Sequence, residues 1–393
     1  MHVLLVGTGG ERGWPEEGCR CASCLRATSE GIRRRPGQVL VDGMLEVRLG
    51  WPTGMETVPS ATPAHRITRL PGGIEISGQG GDRLLLATGP GQVPQPDPDA
   101  AAPYDIALLD LLASPLQLGR LRRSGLVQDR TVVAALFADH RVRSEREFAR
   151  RCALWRVTPG RDGIELRSAS AAPHRTGSGM AHRTLIIGGA RSGKSTEAEL
   201  RLAAEPAVTY LAAGPWAGAA GAGADGAAAG AAVPDSWAGP DGEPDTEWAD
   251  RVARHRARRP AWWQTVESLD IAGWLRRESG VVLIDGIGTW LAGIMDEAGT
   301  WASGSAAAAT VAQRADADPA LVVQARIDDL IDAWRQTRAR VVAVTDQVGS
   351  GLVPPYPAGR VFRDQLGWLN QRLAAESEEN LLVVAGRVQA LPG

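Results

Sequence analysis

Two different patterns of apolar and polar residues divide the chain near residue 177. In the first part, short apolar runs typical of β-strands are separated by glycine and proline, and amphipathic stretches typical of helices are few. The predicted strands are 2–6, 39–41, 84–87, 106–109 and 131–136, and the predicted helices are 21–29 and 144–155. This pattern predicts an α+β domain over residues 1–177.

In the second part, buried apolar runs alternate with helical patterns. The predicted strands are 184–187, 208–212, 281–285, 341–345 and 381–385, and the predicted helices are 194–204, 246–256, one starting near Gly288, 321–338 and 360–375. This alternation predicts an α/β domain over residues 178–393, with a parallel sheet covered by helices on both faces.

Three stretches lack any helical or strand period. Residues 171–181 carry Pro, Gly and Ser and form the predicted linker. Two low-complexity stretches rich in Ala, at about 214–241 and 302–319, interrupt the second pattern. They lack the apolar side chains needed to offset the entropy of ordering, so we predict that they are mobile surface insertions.

Length and charge limit the class of protein. A chain of 393 residues, 44% hydrophobic, is long enough for two globular domains. Its net charge of -2 does not favour non-specific binding to nucleic acid. No apolar run reaches the roughly 18 residues of a membrane span, and the N-terminus lacks a signal-peptide pattern. We therefore expect a cytoplasmic protein without a membrane span.

Lys194 is the single lysine among 43 basic side chains, and it lies in a phosphate-binding motif. The pattern G-x-x-x-x-G-K-[ST] follows a predicted strand and precedes a predicted helix, as this motif requires. Its residues are Gly188, Gly189, Ala190, Arg191, Ser192, Gly193, Lys194 and Ser195. The backbone N–H groups of such a loop bind phosphate, Lys194 is predicted to contact the β- and γ-phosphates, and Ser195 to bind Mg²⁺. The alternative is a glycine-rich turn that happens to precede a helix.

Asp285 ends the apolar strand VVLID and is followed by a glycine. In P-loop proteins an acidic residue at the end of a neighbouring strand holds Mg²⁺ together with the loop hydroxyl. We therefore predict that Asp285 and Ser195 share a magnesium site. The alternative is a strand-end aspartate that caps the helix starting near Gly288.

Several separated segments resemble the bifunctional adenosylcobinamide kinase/adenosylcobinamide-phosphate guanylyltransferase family. They are TLIIGGARSGKSTEAELRL, VTYLAAG, RVARHRARRPAWWQTVES, VVLIDGIGTWLAGIM, VVAVTDQVGSGLVP and GRVFRDQLGWLNQRLAAESEENLLVVAGR. The resemblance covers 184–387 apart from the two insertions. It implies a P-loop NTPase-like fold and a trimeric homo-oligomer. It also implies two reactions: phosphorylation of adenosylcobinamide by ATP or GTP, then GMP transfer from GTP onto the phosphate to give adenosylcobinamide-GDP.

In that family the GMP passes through a guanylylated histidine, which the resemblance places at His255. A neutral imidazole is a competent nucleophile at phosphorus, and neighbouring arginines such as Arg254 and Arg256 suit a triphosphate. The alternative is a solvated basic helix face with an incidental histidine. Family members often carry a second histidine at the position where this chain has Arg254.

Asp346 opens a loop, DQVGSGLVP, after a predicted strand, where ligands of open α/β sheets bind. The corresponding loop of the family begins with Asn-Glu, so this chain exchanges the acid and amide positions. We include Asp346 among the predicted nucleotide-binding residues.

Cys19, Cys21 and Cys24 lie within six residues, which in a cytosolic chain favours Zn²⁺ over disulfides. The start of the chain, GTGG followed by GWPEEGCRCASCLRA, resembles phosphodiesterases of the metallo-β-lactamase fold, which implies a structural zinc with a fourth ligand late in the domain. The candidates for that ligand, in order of preference, are His174, His140 and Cys152. The alternative is three reduced core thiols.

The hydrolytic signature of that fold, H-x-H-x-D-H, is absent from the sequence. Without it there is no dinuclear metal site, so we predict a degenerate, non-catalytic N-terminal domain. Two further hypotheses stay open at this point. One is a regulatory or scaffold protein that binds nucleotide without turnover, and the other is an active metallohydrolase fused to a kinase.

Overall fold

The computed structural model describes residues 1–50, 61–62, 64–97, 102–168, 181–213, 259–300 and 318–392. The chain divides into two compact units. The first comprises residues 1–180 and 200–206, and the second comprises 181–199 and 207–393. The linker prediction, most of both low-complexity insertions and the predicted helix 246–256 lie outside the described residues.

Eleven strands are described in the first unit. In chain order they are β1 (His2–Gly7), β2 (Gln38–Val41), β3 (Leu45–Arg48), β4 (Ala61–Thr62), β5 (His65–Leu70), β6 (Gly73–Gly78), β7 (Arg83–Ala87), β8 (Ile106–Leu109), β9 (Val132–Ala135), β10 (Thr158–Pro159) and β11 (Glu165–Arg167). They form a four-stranded antiparallel sheet, β11-β1-β2-β3, and a seven-stranded sheet, β10-β9-β8-β7-β6-β5-β4. The seven-stranded sheet is parallel from β7 to β10 and antiparallel from β4 to β7.

The seven-stranded sheet has apolar residues on both faces. One face shares a buried cluster with the four-stranded sheet, including Val3 and Val39 against Leu84 and Ile106. The other face packs with three helices, α1 (Ala22–Ser29), α2 (Leu116–Arg123) and α3 (Glu145–Trp155). The unit is therefore an α+β structure of sheet, sheet and helices, which agrees with the predicted class.

The second unit contains seven described strands and five described helices. They are β12 (Arg183–Gly188), α4 (Lys194–Leu202), β13 (Thr209–Ala212), β14 (Gln264–Glu267), α5 (Ile271–Arg277), β15 (Val281–Asp285), α6 (Ile287–Glu297), α7 (Pro319–Gln336), β16 (Arg340–Asp346), α8 (Pro357–Ala375), β17 (Glu379–Val384) and β18 (Arg387–Leu391). The last three residues of α4, 200–202, fall in the first unit.

The sheet of the second unit has the order β14-β13-β15-β16-β12-β17-β18, and all pairs are parallel except β17 with β18. The predicted α/β class with a parallel sheet is confirmed. A large buried cluster joins one face of the sheet to α5, α6, α7 and α8. None of the helices in the described ranges combines the length and apolar composition that a bilayer crossing requires.

The register brings the carboxyl ends of four strands to one edge of this sheet. Gly188 of β12 lies opposite Asp346 of β16, and Asp285 of β15 lies opposite Ala212 of β13. Because ligands of open parallel sheets bind at this edge, the fold places Gly188, Asp285 and Asp346 where such a site is expected.

Candidate functional site

Residues 188–195 form the turn between β12 and α4. The backbone N–H of Ser192 donates to the carbonyl of Gly189 at 3.3 Å, and the N–H of Glu197 donates to the carbonyl of Gly193 at 3.0 Å, which begins the helix. The N–H of Gly386 donates to the carbonyl of Ser192 at 2.7 Å. The predicted strand–loop–helix context of the motif is therefore present.

Both glycines that the motif requires have a structural reason. A Cβ on Gly188 would lie 2.4 Å from the Ser192 hydroxyl and 2.8 Å from the Val383 carbonyl oxygen. Gly193 has a φ of 99°, a conformation that residues with a side chain rarely adopt. The loop can therefore keep this path only with glycine at these two positions.

Lys194 points back over the loop from the first turn of α4. Its Nζ donates to the Gly189 carbonyl at 3.1 Å and lies 2.9 Å from Oδ1 of Asp346. The lysine side chain is 15% exposed and the aspartate 39%. The cation is thus held at the mouth of the loop by a carboxylate that solvent still reaches.

Ser195 and Asp285 come together as predicted for a magnesium site. The Ser195 hydroxyl donates to Oδ1 of Asp285 at 3.3 Å. A hydroxyl and a carboxylate oxygen beside a phosphate-binding loop are oxygen ligands of the kind that Mg²⁺ accepts. The residues present therefore fit the ion.

A tyrosine absent from the predicted site completes this cluster. The Tyr210 hydroxyl donates to Oδ2 of Asp285, and the tyrosine is only 1% exposed. Burial, with the Asp285 carboxylate next in effect, raises the pKa of Tyr210 far above its usual range, so the hydroxyl keeps its proton. The guanidinium of Arg259 lies 3.4 Å from the centre of the tyrosine ring. The only sequence signal was an aromatic residue with a polar end inside the apolar run VTYLAAG.

The end of β16 is fixed by a second residue that sequence reasoning missed. Asn370, buried on α8, accepts a hydrogen bond from the Thr345 hydroxyl at 2.7 Å and donates to the Asp346 carbonyl at 3.1 Å. The N–H of Gln347 donates to the Gly188 carbonyl at 3.0 Å. The backbone that carries Asp346 is therefore held against the phosphate-binding loop.

A cavity of about 500 Å³ opens beside the loop, within the size range of small-molecule sites. Its lining combines the loop, the segment after β16 and the end of β17, namely Gly189, Ala190, Arg191, Ser192, Gln347, Ser350, Gly351, Leu382, Val383, Val384 and Ala385. The cavity therefore offers space for a small molecule beside the loop that is predicted to bind phosphate.

The first unit brings the predicted cysteines together with a histidine. Ligand atoms of Cys19, Cys21, Cys24 and His140 all lie within 4.8 Å of one another. In a tetrahedral zinc site with Zn–S bonds of 2.3 Å, neighbouring sulfurs are about 3.8 Å apart, so the group fits the ion after a small contraction. His140 Nδ1 lies 3.5 Å from the Glu16 carboxylate, a partner that would orient the ring.

The thiols differ in environment. The pKa of Cys21, at the start of α1, is lowered because its sulfur accepts a hydrogen bond from the N–H of Cys24, whereas burial raises the pKa of Cys24 to about 12. Cys152 is buried in α3 and is not in the group. The preferred fourth ligand, His174, lies outside the described residues, as do His255, Arg254 and Arg256 of the predicted guanylyl-transfer segment.

Comparison with known proteins gives the same family for the second part of the chain. A family model described as cobinamide kinase / cobinamide phosphate guanyltransferase matches residues 236–391. The bifunctional adenosylcobalamin biosynthesis protein CobP of Pseudomonas aeruginosa is 33% identical over 219 residues, covering 54% of this chain and 98% of the relative. CobU of Escherichia coli, with the same description, is 31% identical over 214 residues, covering 51% of this chain and 95% of the relative.

Among solved structures, zinc-bound PqqB from Methylobacterium extorquens aligns with 42% of this chain and 100% of its own length. The sequence identity is 14% and the TM-score is 0.29. A similarity of this size supports no argument about the first unit.

Proposed function

The chain belongs to the cobinamide kinase / cobinamide phosphate guanyltransferase family and carries out these two reactions of adenosylcobalamin biosynthesis; from that premise we propose which of its residues perform each step. The observation that carries the proposal is the convergence of Lys194, Ser195 and Asp285 at one edge of the sheet, beside a cavity. The relatives named above are bifunctional biosynthesis proteins, which favours turnover over a scaffold that only binds nucleotide.

In the first reaction, the hydroxyl oxygen of adenosylcobinamide attacks the γ-phosphorus of ATP or GTP. The new O–P bond forms as the bond to the β–γ bridging oxygen breaks, the nucleoside diphosphate leaves, and the hydroxyl proton is released to solvent. Lys194 stabilises the charge that develops on the transferred group, and the loop N–H groups hold the phosphates. Bound Mg²⁺, held by Ser195 and Asp285, would neutralise charge between the β- and γ-phosphates.

We propose that Asp346 acts on Lys194 and not on the nucleotide directly. A carboxylate carries no proton to donate to a phosphate oxygen, and its negative charge repels the negative charge of the phosphate. Its contact with Lys194 at 2.9 Å instead keeps the ammonium at the loop until a phosphate replaces the carboxylate.

In the second reaction, we propose that the imidazole of His255 attacks the α-phosphorus of GTP and releases pyrophosphate. The phosphate of adenosylcobinamide phosphate then attacks the same phosphorus, forms the diphosphate and frees the histidine. Arg254 and Arg256 supply positive charge for the triphosphate. The family resemblance supports this assignment.

Mass analysis tests the two reactions together. The protein incubated with adenosylcobinamide, ATP, GTP and Mg²⁺ should give first the phosphate and then the GDP derivative. His255→Ala should stop at the phosphate, because phosphoryl transfer at the loop needs no imidazole. Protein given α-labelled GTP alone should retain acid-labile label, and the variant should retain none; a labelled variant would move the nucleophile to another residue.

We propose that Cys19, Cys21, Cys24 and His140 hold one structural Zn²⁺ in the first unit. Support comes from their mutual distances and from the thiolate-favouring position of Cys21 at a helix start. A hydrolytic role has no such support, since the described residues hold only this Cys-rich group and the sequence lacks the histidine cluster.

We also propose that the chain works in the cytoplasm as a homo-oligomer, as the family resemblance implies. Several large apolar side chains on or near α8 are exposed, with Leu352 at 96%, Tyr356 at 76% and Trp368 at 59%. A second copy of this chain would cover them. Native mass spectrometry that gives only the monomer mass at micromolar concentration would contradict this part of the proposal.

A further inference from the structure

Both carboxylate oxygens of Asp285 have a side-chain partner, and one partner lies outside the phosphate-binding motif. Oδ1 accepts from Ser195, and Oδ2 accepts from the hydroxyl of Tyr210. Tyr210 lies on β13, the strand that pairs with the strand of Asp285, two residues before the position opposite it. A strand-borne aromatic ring is a rigid carrier, so its hydroxyl fixes which way the carboxylate faces.

The aromatic face of the same tyrosine contacts an arginine. The Arg259 guanidinium lies 3.4 Å from the ring centre, a contact that a tyrosine face stabilises. Arg259 follows His255 by four residues and ends the run of arginines around it. One buried side chain thus contacts a proposed magnesium ligand with its hydroxyl and the guanylyl-transfer segment with its ring.

We propose that Tyr210 is a positioning residue with two separable parts: its hydroxyl orients Asp285 for the metal of the bound nucleotide, and its ring seats Arg259. The inference rests on the proposed function, because it takes Asp285 and Ser195 as the metal-binding pair. It predicts that removal of the hydroxyl alone weakens metal binding and leaves both the loop and the seating of Arg259 intact.

Tyr210→Phe removes only the hydroxyl. We expect the Mn²⁺ concentration that half-saturates the ATP complex, measured by electron paramagnetic resonance, to rise about tenfold, in the range that loss of one hydrogen bond to a charged group produces. ATP binding in EDTA, measured by calorimetry, should be unchanged, because the lysine and the loop N–H groups are untouched. At saturating Mg²⁺ the variant should still be labelled by α-labelled GTP.

The first unit offers a matched control. Tyr104 is also 1% exposed, donates its hydroxyl to Glu75 at 2.9 Å, and has Arg83 stacked at 4.4 Å from its ring centre. Tyr104→Phe therefore removes the same kind of hydrogen bond without touching the nucleotide residues. Its Mn²⁺ and ATP binding should match those of the wild-type protein.

Three outcomes separate the possibilities. Unchanged Mn²⁺ binding in Tyr210→Phe would overturn the positioning role, and so would a loss of ATP binding in EDTA, since that would make the tyrosine a support of the whole loop. A wild-type protein that binds ATP with Mn²⁺ but makes no cobinamide product would instead overturn the proposed function and leave the role of Tyr210 standing. Tyr210→Leu, which removes ring and hydroxyl, should in addition lower GTP labelling if its thermal unfolding remains cooperative.

Discussion

At the scale of single residues, the shape of the Lys194 side chain matters more for phosphoryl transfer than its positive charge alone. The ammonium fits between the Gly189 carbonyl and the Asp346 carboxylate within about 3 Å of each. A guanidinium is planar, wider and forked, and it does not replace a point charge in so small a space. Arginine occupies every other Lys/Arg position of the sequence. The single lysine therefore indicates a position where a guanidinium is too wide to fit.

We therefore predict that Lys194→Arg loses nucleotide-dependent phosphorylation of adenosylcobinamide almost as fully as Lys194→Ala, at least 100-fold in kcat/KM. Product formation followed by mass spectrometry measures this. Arg276→Lys, a charge-conserving change on α5 where the arginine pairs with Asp329, serves as the control and should stay within a few-fold of wild type. Substantial activity of Lys194→Arg would show that charge alone suffices.

The residues of the motif could be predicted from the sequence because their spacing is local. Tyr210 and Asn370 could not, since their contacts with Asp285 and Asp346 depend on which strand and helix become neighbours. His140 was predicted only as one of three possible zinc ligands. His140 is more than a hundred residues from Cys19 in the sequence, and only the folded chain brings the two side chains together.

At the scale of elements, an ion pair joins the first residue of β12 to the residue just before β17. Arg183 contacts Glu378 through its side chain at 2.6 Å and through its backbone N–H at 2.7 Å. These contacts with Arg183 lower the pKa of Glu378 from 4.5 to about 2. Because the folded-state pKa lies below the unfolded value, the stabilisation is complete above pH 4.5 and is lost as the pH falls towards 2.

We predict that Glu378→Gln lowers the free energy of unfolding by about 1 kcal/mol at pH 7, a value reduced for the 42% exposure of the glutamate side chain. Urea unfolding at pH 7, 5 and 3.5 should show the difference from wild type shrinking at the lowest pH. Glu376→Gln, which breaks the exposed pair with Arg335, should change stability little. A difference that grows as the pH falls would contradict the assignment.

Strongly apolar elements were the ones that sequence could predict. Strands such as Val281–Asp285 and Arg340–Asp346 appear close to their predicted bounds. The hairpin of His65–Leu70 and Gly73–Gly78 was missed because half of its twelve residues are polar, and three of these, Arg66, Thr68 and Arg69, are exposed. The seven-residue helix Ile271–Arg277 is too short for a helical period to stand out.

At the scale of the whole molecule, the two units carry different chemistry. The described metal-ligand group with three thiols belongs to the first unit, and the phosphate-binding loop belongs to the second. A closed structural zinc site stabilises the domain that supplies its ligands. Loss of the metal should therefore act on the stability of the first unit and spare phosphoryl transfer.

We predict about one Zn²⁺ per chain by elemental analysis, lost when Cys19, Cys21 and Cys24 are all changed to Ser, with kcat of the kinase reaction within about twofold of wild type. Cys152→Ala should keep its zinc, because that thiol lies in α3 outside the group. His140→Ala should lower zinc retention during dialysis against a chelator. Full zinc content in the triple variant would place the metal elsewhere.

Because Lys194 is the single lysine of the sequence, an amine-reactive reagent can label the proposed phosphate site selectively. The amino group of Met1 is paired with Asp82 and Ser168. An acylating reagent at neutral pH would thus find a single reactive side-chain amine, at the mouth of the loop. The extent of Lys194 acylation, measured by peptide mapping, would then report how much of the protein has nucleotide bound, because bound nucleotide should protect the lysine. Asp346→Asn, which removes the ion pair that anchors the ammonium at the loop, should leave the same amine freer to move and should make it react faster.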